Sequence, residues 1–94
     1  MDKIRILGTD YIYDDQVEMN NRGEIEFTGK KIRVNKILSN DLKMQTVLHE
    51  LLEAINTELE LNFEHKVISQ LDCSLKAIFM DNPKLKDIMF PEVI

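Results

Sequence analysis

Alternating apolar and polar residues predict β-strands in the first third of the chain. Residues 3–7 are a short candidate strand, and the segment TDYIYDD, residues 9–15, either extends it or forms a second short strand around residues 11–13. The clearest pattern is GEIEFTGKKIRVN, residues 23–35, in which two alternating arms flank Gly29 and predict a β-hairpin. Its predicted inward side chains are Ile25, Phe27, Ile32 and Val34, and its predicted outward ones are Glu24, Glu26, Lys31 and Arg33.

Helical spacing of apolar residues predicts two helices after the hairpin. Ser39 or Asn40 is expected to cap a helix over residues 41–58, and Asn62 a second helix over residues 63–80. The short connection between them predicts an antiparallel pair. We therefore expect an α+β fold in which N-terminal antiparallel strands with a hairpin precede two antiparallel helices.

Composition and charge narrow the class of protein. The 94 residues are enough for one small domain, residues 1–94, and 44% hydrophobic with 31% charged residues is typical of a globular chain. The net charge of −5 argues against nucleic acid as a partner, and we interpret the basic residues 30–36 as a solvated strand face. The segment MDKIRILG lacks the apolar core of a signal peptide, and no run approaches the length of a membrane helix.

The single cysteine, Cys73, excludes an intramolecular disulfide and favours a reducing, cytoplasmic location. Its place in an apolar helical pattern predicts packing in the core or at its edge, and nothing near it in sequence supports a nucleophile. The apolar residues of the tail, 84–94, are expected to fold back onto the core or to contact a partner. The oligomeric state stays open.

The segment TVLHELLEAIN, residues 46–56, contains the side chains that are candidates for metal binding or catalysis. It is apolar nearly all round except for His49, Glu50 and Glu53, so these polar groups need partners. His49 and Glu53 are one helical turn apart, on one face, and both are ligand types that zinc accepts. Because zinc usually has three protein ligands in a catalytic site, a third is required.

His65, near the start of the second predicted helix, is the best third ligand, and Glu64 is the competing choice. In an antiparallel pair both would lie near the end of the first helix. The alternative is that His49 is a core histidine with one hydrogen bond and His65 is a surface residue, because a lone His-Glu pair is a weak motif.

Residues 23–85 resemble small zincin-type metallopeptidase-like proteins of phages and prophages, which are similar to minimal SprT-like and ImmA/IrrE-type domains. The resemblance is carried by the strand KIRVN, the helix TVLHELLEAI, the connection LEL and the helix ending in DNP. That family commonly has H-E-x-x-H on the helix and a Glu after the connection. Here Glu53 stands at the second His position and His65 at the later Glu position, which suggests an exchange of ligands.

The resemblance implies a zinc-dependent peptidase. His49, Glu53 and His65 would hold Zn²⁺, and Glu50 would act as general base toward a water activated by the metal. The strand of residues 31–35 would offer an edge to an extended peptide substrate. No clear transition-state stabiliser stands out, and Tyr11, Tyr13 and Arg33 are the candidates.

Three hypotheses follow from the sequence. The first is a zinc metallopeptidase acting on a peptide or protein. The second is a non-catalytic zincin-derived binding module, such as a phage protein that docks on a host factor. The third is a metal-free structural domain in which the acidic residues are solvated and His49 is packed.

Overall fold

The computed structural model describes residues 2–92 and has an α+β fold with one four-stranded sheet. The strands are β1 (Asp2–Ile6), β2 (Thr9–Val17), β3 (Gly23–Glu26) and β4 (Lys31–Asn35), and the helices are α1 (Asn40–Glu58), α2 (His65–Asp81) and α3 (Leu85–Met89). The sheet order is β1-β2-β4-β3. The β1–β2 and β3–β4 pairs are antiparallel, as predicted, but β2 and β4 pair in parallel, so the prediction of antiparallel strands is wrong for the central pair.

The predicted β3–β4 hairpin is confirmed with its inward and outward faces. Ile25 lies opposite Ile32 in the register, and Ile32 is buried. On the other face the guanidinium of Arg33 forms ion pairs with Glu24 at 2.8 Å and Glu26 at 3.1 Å. Apolar packing on one face and opposite charges on the other both favour this register.

The β1–β2 hairpin has the two-residue loop Leu7-Gly8. Both residues have positive φ angles, 49° and 88°, which are the signs required by a type I′ turn. Gly8 adopts this conformation without steric cost, whereas a leucine there is strained. Strand β1 has the predicted length of five residues and begins one residue earlier, whereas β2 is longer than the predicted residues 11–13, because it pairs with β1 from Thr9 to Tyr13 and continues to Val17.

Helix α1 packs on the sheet and closes the core. It begins after Ser39, whose hydroxyl accepts a hydrogen bond from the Leu42 N–H at 3.4 Å, in agreement with the predicted cap. The buried members of this core cluster are Ile6, Tyr11, Ile32, Val34 and Ala54. Helix α1 contributes Ala54 and, around it, the partly buried residues Val47, Leu51 and Ile55.

Helix α2 packs against α1 and starts two residues later than predicted. Its first residue is His65, and Asn62 is not its cap, since Asn62 has a φ of 60° outside the helix. The Asn56 side chain of α1 instead fixes the connection, accepting from the Phe63 N–H at 2.9 Å and donating to the Phe63 carbonyl at 3.1 Å. The connection is therefore tied to α1 immediately before His65.

The tail does not fold back onto the core within the described residues. Ile88, Met89 and Phe90 expose 73%, 52% and 71% of their surface, so the packing prediction is wrong for them. Val93 and Ile94, which belong to the same prediction, lie outside the described residues. None of the helices in residues 2–92 is long and apolar enough to cross a membrane.

Candidate metal centre

The antiparallel arrangement of α1 and α2 brings three potential metal ligands together. One ligand atom each from His49, Glu53 and His65 lies within 4.8 Å of the others. Oε1 of Glu53 is 3.6 Å from Nε2 of His49 and 3.5 Å from Nδ1 of His65. The two imidazole rings meet edge to face with centroids 5.0 Å apart. Both histidines of the chain therefore lie at one point between the two helices.

The two separations measured from Glu53 are close to those between neighbouring ligands of a zinc ion. Zinc–ligand bonds of about 2.0–2.1 Å in a tetrahedral site separate neighbouring ligand atoms by roughly 3.3 Å. The two separations measured from Glu53 are only slightly longer than this. Two imidazoles and one carboxylate are also a donor set found in catalytic zinc sites, which leave one position for water or substrate.

A buried carboxylate on α2 determines which nitrogen of His49 is available. Oδ2 of Asp72 lies 2.6 Å from Nδ1 of His49, and the Asp72 residue is 4% exposed. Its other oxygen, Oδ1, accepts a hydrogen bond of 2.9 Å from Nε2 of Gln45. Because a carboxylate accepts, Nδ1 of His49 donates this bond, and Nε2, which lies 3.6 Å from Oε1 of Glu53, is the nitrogen that remains for a metal ion.

The cluster opens into a cavity of about 460 Å³ between α1, α2 and the start of β3. Its lining residues are Asn21, Arg22, Gly23, Gln45, Thr46, His49, Glu50, His65, Ser69, Asp72 and Cys73. The loop part of this lining is fixed by buried Asn35, whose side-chain amide donates to the carbonyls of Met19 at 2.7 Å and Asn21 at 3.1 Å. The side chain of buried Asn35 therefore fixes the loop that forms the cavity wall opposite α2.

Gly23 allows β3 to approach α1 beside the cluster. A Cβ at this position would lie 2.5 Å from Cγ2 of Thr46 and 2.9 Å from the carbonyl oxygen of Arg33. Both distances are shorter than atoms tolerate, so a larger residue would push the strand away. Thr46 is one helical turn before Glu50, and the glycine therefore keeps the edge strand close to the acidic part of the site.

Glu50 lines the cavity but is not part of the ligand cluster. The residue is only 5% exposed, and desolvation by burial raises its pKa from 4.5 to about 7. The carboxylates of Glu53 and Glu24 raise the pKa further, whereas a charged His49 would lower it. A cation held by the neighbouring cluster would favour the ionised carboxylate.

The raised pKa of Glu50 predicts a pH-dependent stability of the metal-free protein. The folded state binds this proton more tightly than the unfolded state, so the stabilisation is complete below pH 4.5 and is lost as the pH rises through about 7. A shift of this size corresponds to about 3 kcal/mol. Denaturant unfolding in the presence of EDTA at several pH values should show this loss for the wild type.

The Glu50→Gln variant is expected to lose this part of the pH dependence, because glutamine does not titrate. Glu60→Gln changes an exposed glutamate beyond the end of α1 and should keep the wild-type dependence. An unchanged slope in Glu50→Gln would contradict the assignment of the titration to this carboxylate.

Comparisons with protein-family models, with curated proteins and with solved structures found no match for this chain.

Other sequence-based candidates lie away from the cluster. Glu64 stands at the N-cap position of α2, is exposed and is not part of the ligand group. Tyr11 is fully buried and donates a hydrogen bond to Glu58, and Arg33 pairs with acidic residues on the outer face of the sheet. Tyr11, Tyr13 and Arg33 do not line the cavity.

Cys73 is not a core residue, so of its two predicted positions, core or edge, the core position is wrong. It is exposed at the rim of the cavity, and its Sγ lies 3.1 Å from Nε2 of Gln45. A hydrogen bond to the neighbouring Asp72 carboxylate, followed by desolvation, raises the pKa of the thiol, which disfavours the reactive thiolate.

Sequence reasoning missed Asp72, although a signal was present. Asp72 follows Ile68 by four residues and precedes Leu75 by three, so it lies within the inward apolar stripe of α2. A carboxylate at such a position requires a partner. It also follows His65 by seven residues, which places both on the helix face that meets α1.

Proposed function

We propose that this protein is a zinc-binding, zincin-like metallopeptidase. The observation that carries the proposal is the convergence of His49, Glu53 and His65 at one point, with Glu50 beside them in a cavity. A structural zinc site would not require an adjacent carboxylate outside the ligand set. When bound, zinc would activate a water molecule and polarise the carbonyl of a peptide bond.

Glu50 is the residue of this chain that would move the proton. It follows His49 directly in α1, so it projects from a neighbouring face of the helix and remains free to act as a base. It would accept a proton from the attacking water and deliver it to the leaving amine. Its burial excludes bulk water from the carboxylate, so an ionised Glu50 is a stronger base there than on the surface.

The substrate edge is β3 and not the predicted strand of residues 31–35. That strand, β4, is paired on both sides, whereas β3 is at the end of the sheet. The Asn35 N–H donates to the Arg22 carbonyl at 2.8 Å, so Arg22 and every second residue after it bond toward β4. The N–H and C=O groups of Gly23 and Ile25 therefore point to the free edge, where an extended peptide could pair beside the cavity.

Metal content and chelation test the proposal together. Untagged protein saturated with zinc and then dialysed should retain one zinc ion per chain by elemental analysis. It should cleave members of a mixed peptide library, detected by mass spectrometry, and 1,10-phenanthroline should stop the cleavage. The matched control is 1,7-phenanthroline, which has the same ring system but does not chelate zinc and should leave the cleavage unchanged.

The two readouts separate the alternatives. Protein that retains no zinc would exclude the metal site. Zinc retention without cleavage would favour the non-catalytic binding module. The observation that favours this second function is the exposed apolar group Ile88, Met89 and Phe90 on and beside α3, which could contact another protein.

A further inference from the structure

We propose that Asp72, held by Gln45, is the positioning residue that fixes the orientation and the proton of His49 for metal binding. The inference rests on the proposed zinc site, but it concerns a contact that exists in the metal-free chain. Nothing in the ligand set itself requires a carboxylate on the opposite side of His49.

Each carboxylate oxygen of Asp72 contacts a different side chain. Oδ2 faces Nδ1 of His49 at 2.6 Å, which is a short, charge-assisted distance, and Oδ1 faces Nε2 of Gln45 at 2.9 Å. Gln45 precedes His49 by four residues on α1, so α1 contributes both groups that grip the carboxylate. Asp72 is therefore held by two hydrogen bonds, and its position orients the imidazole ring of His49.

Burial makes this contact effective. Asp72 is 4% exposed and the His49 side chain is 19% exposed, so water competes little for the bond. A ligand histidine that donates its second N–H to a carboxylate keeps one tautomer and one ring orientation, and it becomes a more basic ligand. The His49 side chain therefore loses its conformational entropy before any metal binds, and this preorganisation raises the affinity for the metal.

Metal affinity in Asp72 variants provides the first test. Asp72→Asn keeps the size of the side chain but removes its charge and one acceptor oxygen, so it cannot serve both partners as acceptor. We expect zinc to bind about 10–100-fold more weakly, measured by competition with a chromophoric chelator. Gln45→Leu should weaken zinc binding less, because it removes only the hydrogen bond to Oδ1 of Asp72 and leaves the bond between Oδ2 and His49. Asp81→Asn, at the exposed end of the same helix, is the matched control and should bind zinc as the wild type does.

The tautomer of His49 in the metal-free protein provides the second test. In ¹⁵N-labelled protein with EDTA, NMR should show His49 protonated at Nδ1, with a proton signal shifted downfield by the short bond to Asp72. Asp72→Asn should remove this downfield shift while His65 keeps its spectrum. A mere folding defect would instead change the signals of both histidines.

The two tests distinguish the possible failures. If the wild type binds no zinc, the proposed function fails, and the NMR signature still decides the role of Asp72. If His49 shows no protonated Nδ1 in the wild type, or if Asp72→Asn leaves both this signal and zinc affinity unchanged, the positioning role is wrong.

Discussion

Replacing His65 with alanine should lower zinc affinity by more than about 100-fold, because it removes a ligand. This loss exceeds the roughly 10–100-fold loss expected when a residue that only hydrogen-bonds to a ligand is changed. The change should leave the metal-free fold nearly intact. The His65 side chain is 76% exposed, and it contacts the Glu53 carboxylate at 3.5 Å, the Ser69 hydroxyl at 3.4 Å and the edge of the His49 ring. Isothermal titration with zinc, together with unfolding in EDTA, measures both expectations.

Glu64→Ala is the matched control for His65→Ala. Glu64 is the neighbouring residue, is also exposed, and was the competing candidate in the sequence. It should bind zinc like the wild type. If Glu64→Ala lost affinity and His65→Ala did not, the third ligand would be the carboxylate, and the exchange of ligands inferred from the resemblance would be wrong.

A double variant tests the exchange directly. The variant E53H/H65E restores the ligand order of the resembled family while keeping two imidazoles and one carboxylate. It should retain zinc binding within about tenfold of the wild type if the cluster depends on the donor set and not on the order. The single variant H65E, with one imidazole and two carboxylates, should bind zinc more weakly, since imidazole is the better zinc ligand.

The hairpin and the two long helices were predictable because each has a local signal. The alternating residues of GEIEFTGKKIRVN define a register within one hairpin, and Ser39 is a cap that acts over three residues. The parallel pairing of β2 with β4 joins strands separated by the whole of β3, and no local pattern specifies it. For this reason the sequence predicts a free edge at residues 31–35, whereas in the structure the free edge belongs to β3.

The cluster was partly predictable for the same reason. The spacing of four residues between His49 and Glu53 places both on one face of α1, and the short connection brings the start of α2 near them. The contact between His49 and Asp72 joins the middle of the two helices and depends on their relative rotation. Sequence spacing does not define that rotation, so the carboxylate was missed although it lies in the apolar stripe of α2.

The distinction between an enzyme and a binding module depends on Glu50. Glu50→Gln should retain zinc affinity, because Glu50 is outside the ligand cluster, and should reduce peptide cleavage by about 10²–10⁴-fold, because the general base is lost. The substitution preserves the size of a buried side chain. It should also make the metal-free protein more stable above pH 7, since no charge then needs to be desolvated.

Glu24→Gln is the informative control for this prediction. Glu24 is an acidic neighbour whose charge acts on Glu50, yet it is exposed and does not line the cavity. It should keep zinc binding and most of the cleavage activity, so a loss specific to Glu50→Gln cannot be attributed to a general change of charge. Cleavage that persists in Glu50→Gln would exclude Glu50 as the base. If the protein binds zinc and cleaves no peptide in either form, the non-catalytic binding module is favoured, and the zinc would then join α1 to α2 through His49, Glu53 and His65.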